Sequence, residues 1–306
     1  FKNISSALRC CLHCHFISRL LQRPIKCNQC SEVTGGEFEW ILRKLRALTT
    51  KKERETFGKK TGVKRETPWS QLYKFTGMHF LFLILVDIMH TTMEGMLRYH
   101  VFCVLRWFVD RHLMFVAADG ESRQGKKGLD VNAWLKSVKF NRLDGRSAVR
   151  RVLNQALDRK KATFSTTAAQ MLHFFPVLLA LLYEALPDPS DGMYAEVKRH
   201  VDCFEAHCQI MGFILRDSVR RSWVGWLTDV IDGFLSLFWA LYGTGEKPKF
   251  HVYTHIPLMT LRFGPLRQVW AFAAEGIHQL PKAFIQRGGS NRVNINKQVM
   301  QSSVFS

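Results

Sequence analysis

Residues 130–243 predict four or five helices in succession, and this long run limits the chain to a mainly helical fold. Pro187, Pro189 and Gly192 interrupt the run, and the segment GTGEKPK at 243–249 ends it. Hydrophobic residues make up 47% of the 306-residue chain. That share is ample for a packed core, so the composition argues against global disorder.

Two blocks of different character flank this helical run. Residues 77–112 begin with a β-like apolar run and continue as a helix with apolar residues at helical spacing, namely Met93, Met96, Leu97 and Val101. The closing block, 250–287, predicts short extended segments, a turn at Gly264–Pro265 and then a helix. We therefore expect a mainly α fold with a small α/β part.

The charge is strongly basic, with 44 Lys and Arg against 25 Asp and Glu and a net charge of +19. This balance favours a polyanionic partner, with nucleic acid ahead of a membrane surface. The segment 51–65 predicts a solvated basic loop that also fits a nuclear import signal, and 141–161 predicts a basic helix. The nucleic-acid-binding candidates in these two segments are Lys51, Lys52, Lys59, Lys60, Lys64, Arg65, Arg146, Arg150 and Arg151.

No segment predicts a signal peptide or a membrane span. The apolar run at 80–86 is too short to cross a bilayer, and the run at 174–186 is interrupted by Pro176 and Glu184. We therefore expect no membrane partner. The sequence opens without a methionine and in the middle of an element, so we also expect it to be a fragment of a longer protein.

Cysteines near the start of the chain have the spacing of a metal site. Cys11 and Cys14 form one Cys-x-x-Cys pair, and Cys27 and Cys30 form another. Each pair offers two thiolates from one tight turn, which is typical of tetrahedral Zn²⁺ sites. Reduced structural cysteines are the alternative, since nothing indicates secretion and hence disulfides. For a second group on one helix face, His200, Cys203 and His207, we expect core packing.

Acidic residues stand at two notable places. In DIMHTTMEG, Asp87 ends the strand-like run and His90 follows it, so Asp87 is either a metal-binding carboxylate or the N-cap of the next helix. Glu275 interrupts an otherwise apolar helix, where a desolvated, unpaired carboxylate would cost several kcal/mol. It must therefore reach solvent, pair with a base, or hold a cation. His251 and His255 precede it and are spaced to share a ligand or a packing surface.

Together, DIMHTTMEGMLRYH and KPKFHVYTHIPLMTLRFGPLRQVWAFAAEGIHQLPKAF resemble the CACTA-like cut-and-paste DNA transposases of eukaryotes. The resemblance implies an incomplete RNase H-like core, interrupted by a helical insertion. It also implies phosphoryl transfer assisted by Mg²⁺ or Mn²⁺ bound to two Asp and one Glu. Glu275 would be the third carboxylate. Asp87 and His90 would be either catalytic or auxiliary to the site, and the leading catalytic Asp would precede the cysteines.

The resemblance also implies a second zinc scheme, in which His251 and His255 share Zn²⁺ with one Cys-x-x-Cys pair. The expected organisation is a zinc segment (1–35), a basic helix and loop (36–76), two core parts (77–112 and 247–287), a helical insertion (113–246) and a loose tail (288–306). We expect double-stranded DNA as partner, a homo-oligomer on that DNA, and a nuclear location. The alternatives are a catalytically dead, domesticated zinc-containing protein that binds DNA or chromatin, and a helical zinc module that binds RNA.

Overall fold

The computed structural model describes residues 26–27, 34–61, 63, 87–115, 128–138, 153, 166–243 and 248–271. Of these residues, 76% are helical and 2% lie in strands. The prediction of a mainly α fold is therefore confirmed, and the β structure among these residues is a small two-stranded parallel sheet. The β-like run at 80–86, the basic segment 141–161 and the helix predicted around Glu275 lie outside the described residues.

The described helices have the following order along the chain. They are α1 (Gly35–Ala47), α2 (Lys51–Thr61), a π-helix (Met89–Leu97) that continues directly as α3 (Arg98–Asp110), α4 (Val131–Ser137), α5 (Ala168–Glu184), α6 (Tyr194–Ile214), α7 (Trp223–Tyr242), α8 (Pro248–Tyr253), α9 (Ile256–Phe263) and a 3₁₀ turn (Leu266–Val269). Four described helices fall within 130–243, as the sequence predicts.

Local sequence explains where several of these helices begin and end. Three helices start with a capping box, in which a threonine and a Glu or Gln three residues later satisfy each other's backbone amides: Thr34 with Glu37, Thr50 with Glu53, and Thr167 with Gln170. Helix α7 ends at Gly243, whose φ of 63° is the left-handed conformation that glycine adopts without strain.

One core joins the π-helix and α3 to α5, α6 and α7. The apolar residues predicted to face it, Met93, Met96, Leu97 and Val101, are all buried. From the other helices, Phe174, Phe204 and Phe234 are buried in the same cluster. Burial of this apolar surface is the main force that holds the helices together.

The sheet consists of two short parallel strands, β1 (Met114–Phe115) and β2 (Leu129–Asp130), with Met114 opposite Leu129. Asp130 then caps α4, because its Oδ1 accepts hydrogen bonds from the amides of Asn132 and Ala133. The sheet therefore leads directly into the next helix.

The segment 51–61 is a helix and not the solvated loop that its charge predicts. The Thr50–Glu53 capping box starts it. Gly58 is buried, and the ring centroid of Phe57 lies 6.4 Å from that of Trp40 on α1. Helices α1 and α2 share a small core of their own, formed by Phe38, Ile41, Leu42, Leu45 and Val63.

The prediction of extended segments after residue 250 is also wrong, since Pro248–Tyr253 and Ile256–Phe263 are helical. Large buried apolar side chains recur every three positions, at Phe250, Tyr253, Ile256 and Met259. That spacing places them on one side of a helix, whereas a strand would need a spacing of two. The predicted turn at Gly264–Pro265 is confirmed, with Gly264 at a φ of 75°.

Among the described helices, α7 alone is long and apolar enough to cross a membrane by length and composition. Core helices of other proteins satisfy the same criterion, and one side of α7 is packed in the bundle through Leu227, Ile231, Phe234 and Phe238. Its composition by itself does not establish a membrane protein.

Candidate functional site

The two sequence blocks that carry Asp87 and His251 meet in the structure, although the helical run separates them along the chain. Asp87, His90 and Glu94 come from the first block, and Lys249 and the backbone of Ala271 come from the second. We call these five residues the junction site. Two hydrogen bonds join the blocks: Lys249 Nζ donates to the His90 carbonyl at 2.7 Å, and the Ala271 amide donates to Asp87 Oδ1 at 3.4 Å.

Asp87 holds three groups at once. Its Oδ1 accepts from the Met89 amide at 3.1 Å as well as from Ala271, so it acts as a cap for the helix that follows. Its Oδ2 bonds His90 Nδ1. Of the two roles that the sequence left open, the structure shows the cap, and the same side chain also orients the histidine.

His90 lies between two carboxylates. Asp87 bonds Nδ1, and Glu94 Oε2 lies 3.9 Å from Nε2. Glu94 is itself held by the Ala168 amide, which donates to Oε1 at 3.3 Å at the start of α5. All three side chains are partly exposed to solvent, and the exposed fraction of the His90 side chain is 45%. A carboxylate on Nδ1 fixes the orientation of the ring, so that Nε2 faces Glu94.

A glycine makes the contact between the blocks possible. A Cβ on Gly95 would lie 2.5 Å from Lys249 Cδ and 2.9 Å from the His90 carbonyl oxygen. Both contacts are too short for a real side chain. Gly95 lies in the π-helix, a form of helix that often occurs at functional sites. Sequence reasoning missed Gly95, Glu94 and Lys249 as site residues, although Glu94–Gly95 stands within the quoted motif.

Replacing Gly95 with Ala should destabilise the chain by up to about 2 kcal/mol. The clash costs about 1–3 kcal/mol, and the better helix propensity of Ala offsets about 1 kcal/mol of this. Urea denaturation followed by circular dichroism measures the change. The matched control is Gly233→Ala on α7, where an added Cβ meets nothing within 4 Å. That variant should gain about 0.5–1 kcal/mol, and equal effects at the two positions would contradict the close packing at Gly95.

His251 and His255, which follow Lys249 of the junction site in the sequence, are both buried and lie next to each other. Their Nε2 atoms lie 3.0 Å apart with the rings perpendicular, and the two residues are 1% and 5% exposed. Two nitrogens bound to one tetrahedral Zn²⁺ at about 2.0–2.1 Å would lie about 3.3 Å apart. The observed separation of 3.0 Å is that of a hydrogen bond between the two rings, and two zinc ligands would lie slightly farther apart.

Of the four predicted cysteine ligands, the structure describes Cys27. It is half-buried, and its amide donates to Asp232 Oδ1 of α7 at 2.8 Å, which fixes it against the helical core. Cys11, Cys14 and Cys30 lie outside the described residues, as do Glu275, Lys64, Arg65, Arg146, Arg150 and Arg151. Within the described part of the chain, no group of three or more His, Cys, Asp or Glu is arranged to hold a metal ion.

A buried histidine–tyrosine network crosses the core between α3, α6, α7 and α8. His100 and His207 face each other with Nδ1 atoms 3.0 Å apart, and His207 Nε2 lies 2.7 Å from the Tyr253 hydroxyl. His200 Nδ1 lies 3.0 Å from the Tyr242 hydroxyl. Cys203 is fully buried as well. The predicted core-packing role of His200, Cys203 and His207 is confirmed.

Burial keeps these histidines neutral. Desolvation lowers the pKa of His207 to about 3 and that of His200 to about 4. It also lowers the pKa of His100 well below 6.5, with a further contribution from the neighbouring His207. A neutral imidazole has one donor and one acceptor nitrogen, which suits the bonds from His207 to His100 and Tyr253. The network is therefore a polar part of the core in which the histidines stay neutral at pH 7.

The described candidates for nucleic-acid contact lie on α2. Lys51, Lys52, Lys59 and Lys60 are all exposed. Lys52 and Lys59 are two turns apart and share one side of the helix. Comparisons with known protein families, curated proteins and solved structures gave no match to this chain.

Proposed function

We propose that this chain functions in a cut-and-paste DNA transposase of the CACTA-like type, in metal-dependent phosphoryl transfer on DNA. The observation that supports this most is the junction site. The two blocks that resemble the transposases pack against each other through Lys249, His90, Asp87 and Ala271, with hydrogen bonds across 159 and 184 residues of sequence. A helical insertion that splits one active site requires this kind of contact.

In the sequence, the carboxylate that the proposal assigns to metal binding closely follows the junction site. Glu275 follows Ala271 by four residues, and four residues of chain span at most about 14 Å. Carboxylate oxygens are the ligands that Mg²⁺ and Mn²⁺ prefer, so Glu275 fits such a site in kind. A divalent ion bound there would supply charge stabilisation at the scissile phosphate.

The residues of the junction site would then position the metal site. Asp87 orients His90 and closes the first block onto the second. Glu94 holds the start of α5 against the site, and Lys249 fixes the π-helix from the other side. Because Asp87 caps the helix and bonds His90, we assign both residues the auxiliary role and give Glu275 the metal.

DNA binding in this proposal starts from the exposed lysines of α2. Each phosphate that a lysine neutralises releases counterions, so the logarithm of the affinity should fall with the logarithm of salt by about 0.9 per contact. Such contacts position the protein on the duplex without reading its sequence. The proposal also places the protein in the nucleus, as a homo-oligomer on its DNA.

A strand-transfer assay on the full-length protein tests the proposed function. Labelled duplex DNA carrying the ends of the element is incubated with Mg²⁺ or Mn²⁺, and cleaved and joined products are counted. Joined products that require the divalent ion support the proposal. DNA binding without any cleavage in either ion would instead support the catalytically dead, domesticated protein.

We further propose a structural Zn²⁺ held by His251 and His255 together with cysteine thiolates from the Cys11/Cys14 or the Cys27/Cys30 pair. The convergent, buried Nε2 atoms support the histidine half of this set. The amide of Cys27 bonded to α7 supports a cysteine segment folded onto the helical core. Such an ion would clamp the start of the chain to the closing block.

Replacing His255 with Ala should lower the zinc content from about one ion per chain to near zero, since loss of one of four ligands exposes the site to water and chelator. Mass spectrometry of metal content after dialysis against a weak chelator measures this. His173→Ala is the matched control, because His173 is exposed on α5. Equal zinc content in both variants, or none in the unaltered chain, would contradict the site.

A further inference from the structure

An arginine patch forms where two distant segments meet at one end of α6 and α7. The connection 215–222 between these helices contacts the 3₁₀ turn Leu266–Val269. Arg267 donates to the Leu215 carbonyl at 3.3 Å and pairs with Asp217 at 3.0 Å, while Gln268 donates to the Asp217 carbonyl at 3.0 Å. These bonds fix the connection as a defined surface.

The exposed arginines of this connection are held in place by an aromatic ring. The guanidinium groups of Arg216 and Arg220 lie over Trp223, 4.9 and 5.4 Å from the ring centroid, and Arg221 is exposed next to them. Cation–π contact orders the two guanidinium groups while their N–H donors stay in solvent. None of Arg216, Arg220 or Arg221 has an ion pair with a described carboxylate. The carboxylate of Asp217 is paired with Arg267.

We propose that this arginine patch, formed by Arg216, Arg220 and Arg221 and fixed in place by Arg267, binds the sugar-phosphate backbone of double-stranded DNA at a second surface, separate from α2. This inference rests on the proposed function, which makes duplex DNA the substrate. Ordered guanidinium groups without carboxylate partners suit phosphate, because each offers a planar fork of donors to two phosphate oxygens.

The position of the patch supports DNA in particular. Arg267 lies four residues before Ala271, whose amide bonds Asp87. The same short segment therefore links the patch to the junction site, so DNA bound at one would pass near the other. Ser218 and Ser222 are exposed within the connection and add hydroxyl donors of the kind that contact phosphate. The chain's net charge of +19 favours a polyanion over a neutral partner.

The test compares two double variants with the same charge change. In Arg220→Gln/Arg221→Gln, two patch arginines are removed; in Lys136→Gln/Arg199→Gln, two exposed basic residues elsewhere are removed. Fluorescence anisotropy measures binding of a 30-base-pair duplex across salt concentrations. The patch variant should lose about tenfold or more in affinity at 0.1 M salt, and its salt slope should fall by about 2, one unit per lost phosphate contact.

The outcomes separate this inference from the proposed function. If the unaltered chain binds DNA and the two double variants bind equally well, the patch is not a DNA surface, while the transposase proposal stands. If the unaltered chain fails to bind DNA at any salt, the proposed function fails first. A patch variant that keeps its DNA affinity but loses binding to anionic lipid vesicles, beside the apolar helix α7, overturns the inference in favour of a membrane surface.

Discussion

Lowering the pH from 7 to 5 should reduce the free energy of unfolding by about 2 kcal/mol from His207 alone, and His100 adds to this loss. Both are fully buried and neutral, and burial holds the pKa of each far below its usual value of 6.5. In the unfolded chain, each imidazole takes up a proton as the pH falls through 6.5. In the folded chain, burial keeps both imidazoles neutral well below that pH, and His207 takes up a proton only at about pH 3.

The sign of the effect follows from proton uptake. Below pH 6.5 the unfolded chain binds more protons than the folded chain, so stability falls as the pH falls. The loss continues until the buried histidines themselves titrate, at about pH 3 for His207. Each fully buried histidine contributes about 1.4 kcal/mol per pH unit. Since domains are stable by only about 5–15 kcal/mol, the chain should approach unfolding in mild acid.

Urea denaturation at several pH values measures this slope directly. Replacing His100 with Phe, which suits its aromatic surroundings of Phe204, Phe234 and Phe238, should reduce the slope by about 1.4 kcal/mol per pH unit. His173→Gln is the control and should leave the slope unchanged, because that side chain is exposed. A slope that is the same in all three proteins would show that the histidines of the network do not stay neutral.

The helices of the core were predictable because their pattern is local. Met93, Met96, Leu97 and Val101 repeat at helical spacing, and they are buried as that spacing requires. The mistakes occurred where composition was given more weight than local chemistry. The charge of 51–61 suggested a loop, while the capping pair Thr50 and Glu53 marked the start of a helix.

The candidate site was predictable only in its outline. Asp87 and His90 stood out as a pair three residues apart, and the structure joins them. The bond from Lys249 to His90 spans 159 residues, and no local pattern in one sequence records which distant segments touch. The arginine patch was missed for the same reason, because Arg267 joins the 215–222 connection only through tertiary contacts.

Glu275→Gln should reduce DNA strand cleavage by the full-length protein about a thousandfold or more, while DNA affinity changes little. A metal-bound carboxylate supports several kcal/mol of charge stabilisation in the transition state, and about 4 kcal/mol corresponds to a thousandfold in rate. Glutamine keeps the size of the side chain but loses the negative charge that holds the ion. The comparison therefore isolates the charge.

Two controls decide whether the effect belongs to metal binding. Glu184→Gln, at the exposed end of α5, removes the same charge far along the chain from the junction blocks and should cleave DNA at the unaltered rate. Raising the concentration of Mn²⁺, which binds most oxygen and nitrogen sites more tightly than Mg²⁺ does, should restore part of the activity of Glu275→Gln. Full activity of Glu275→Gln in Mg²⁺ would mean that this carboxylate only balances a neighbouring base, and the assignment of the third metal ligand would be wrong.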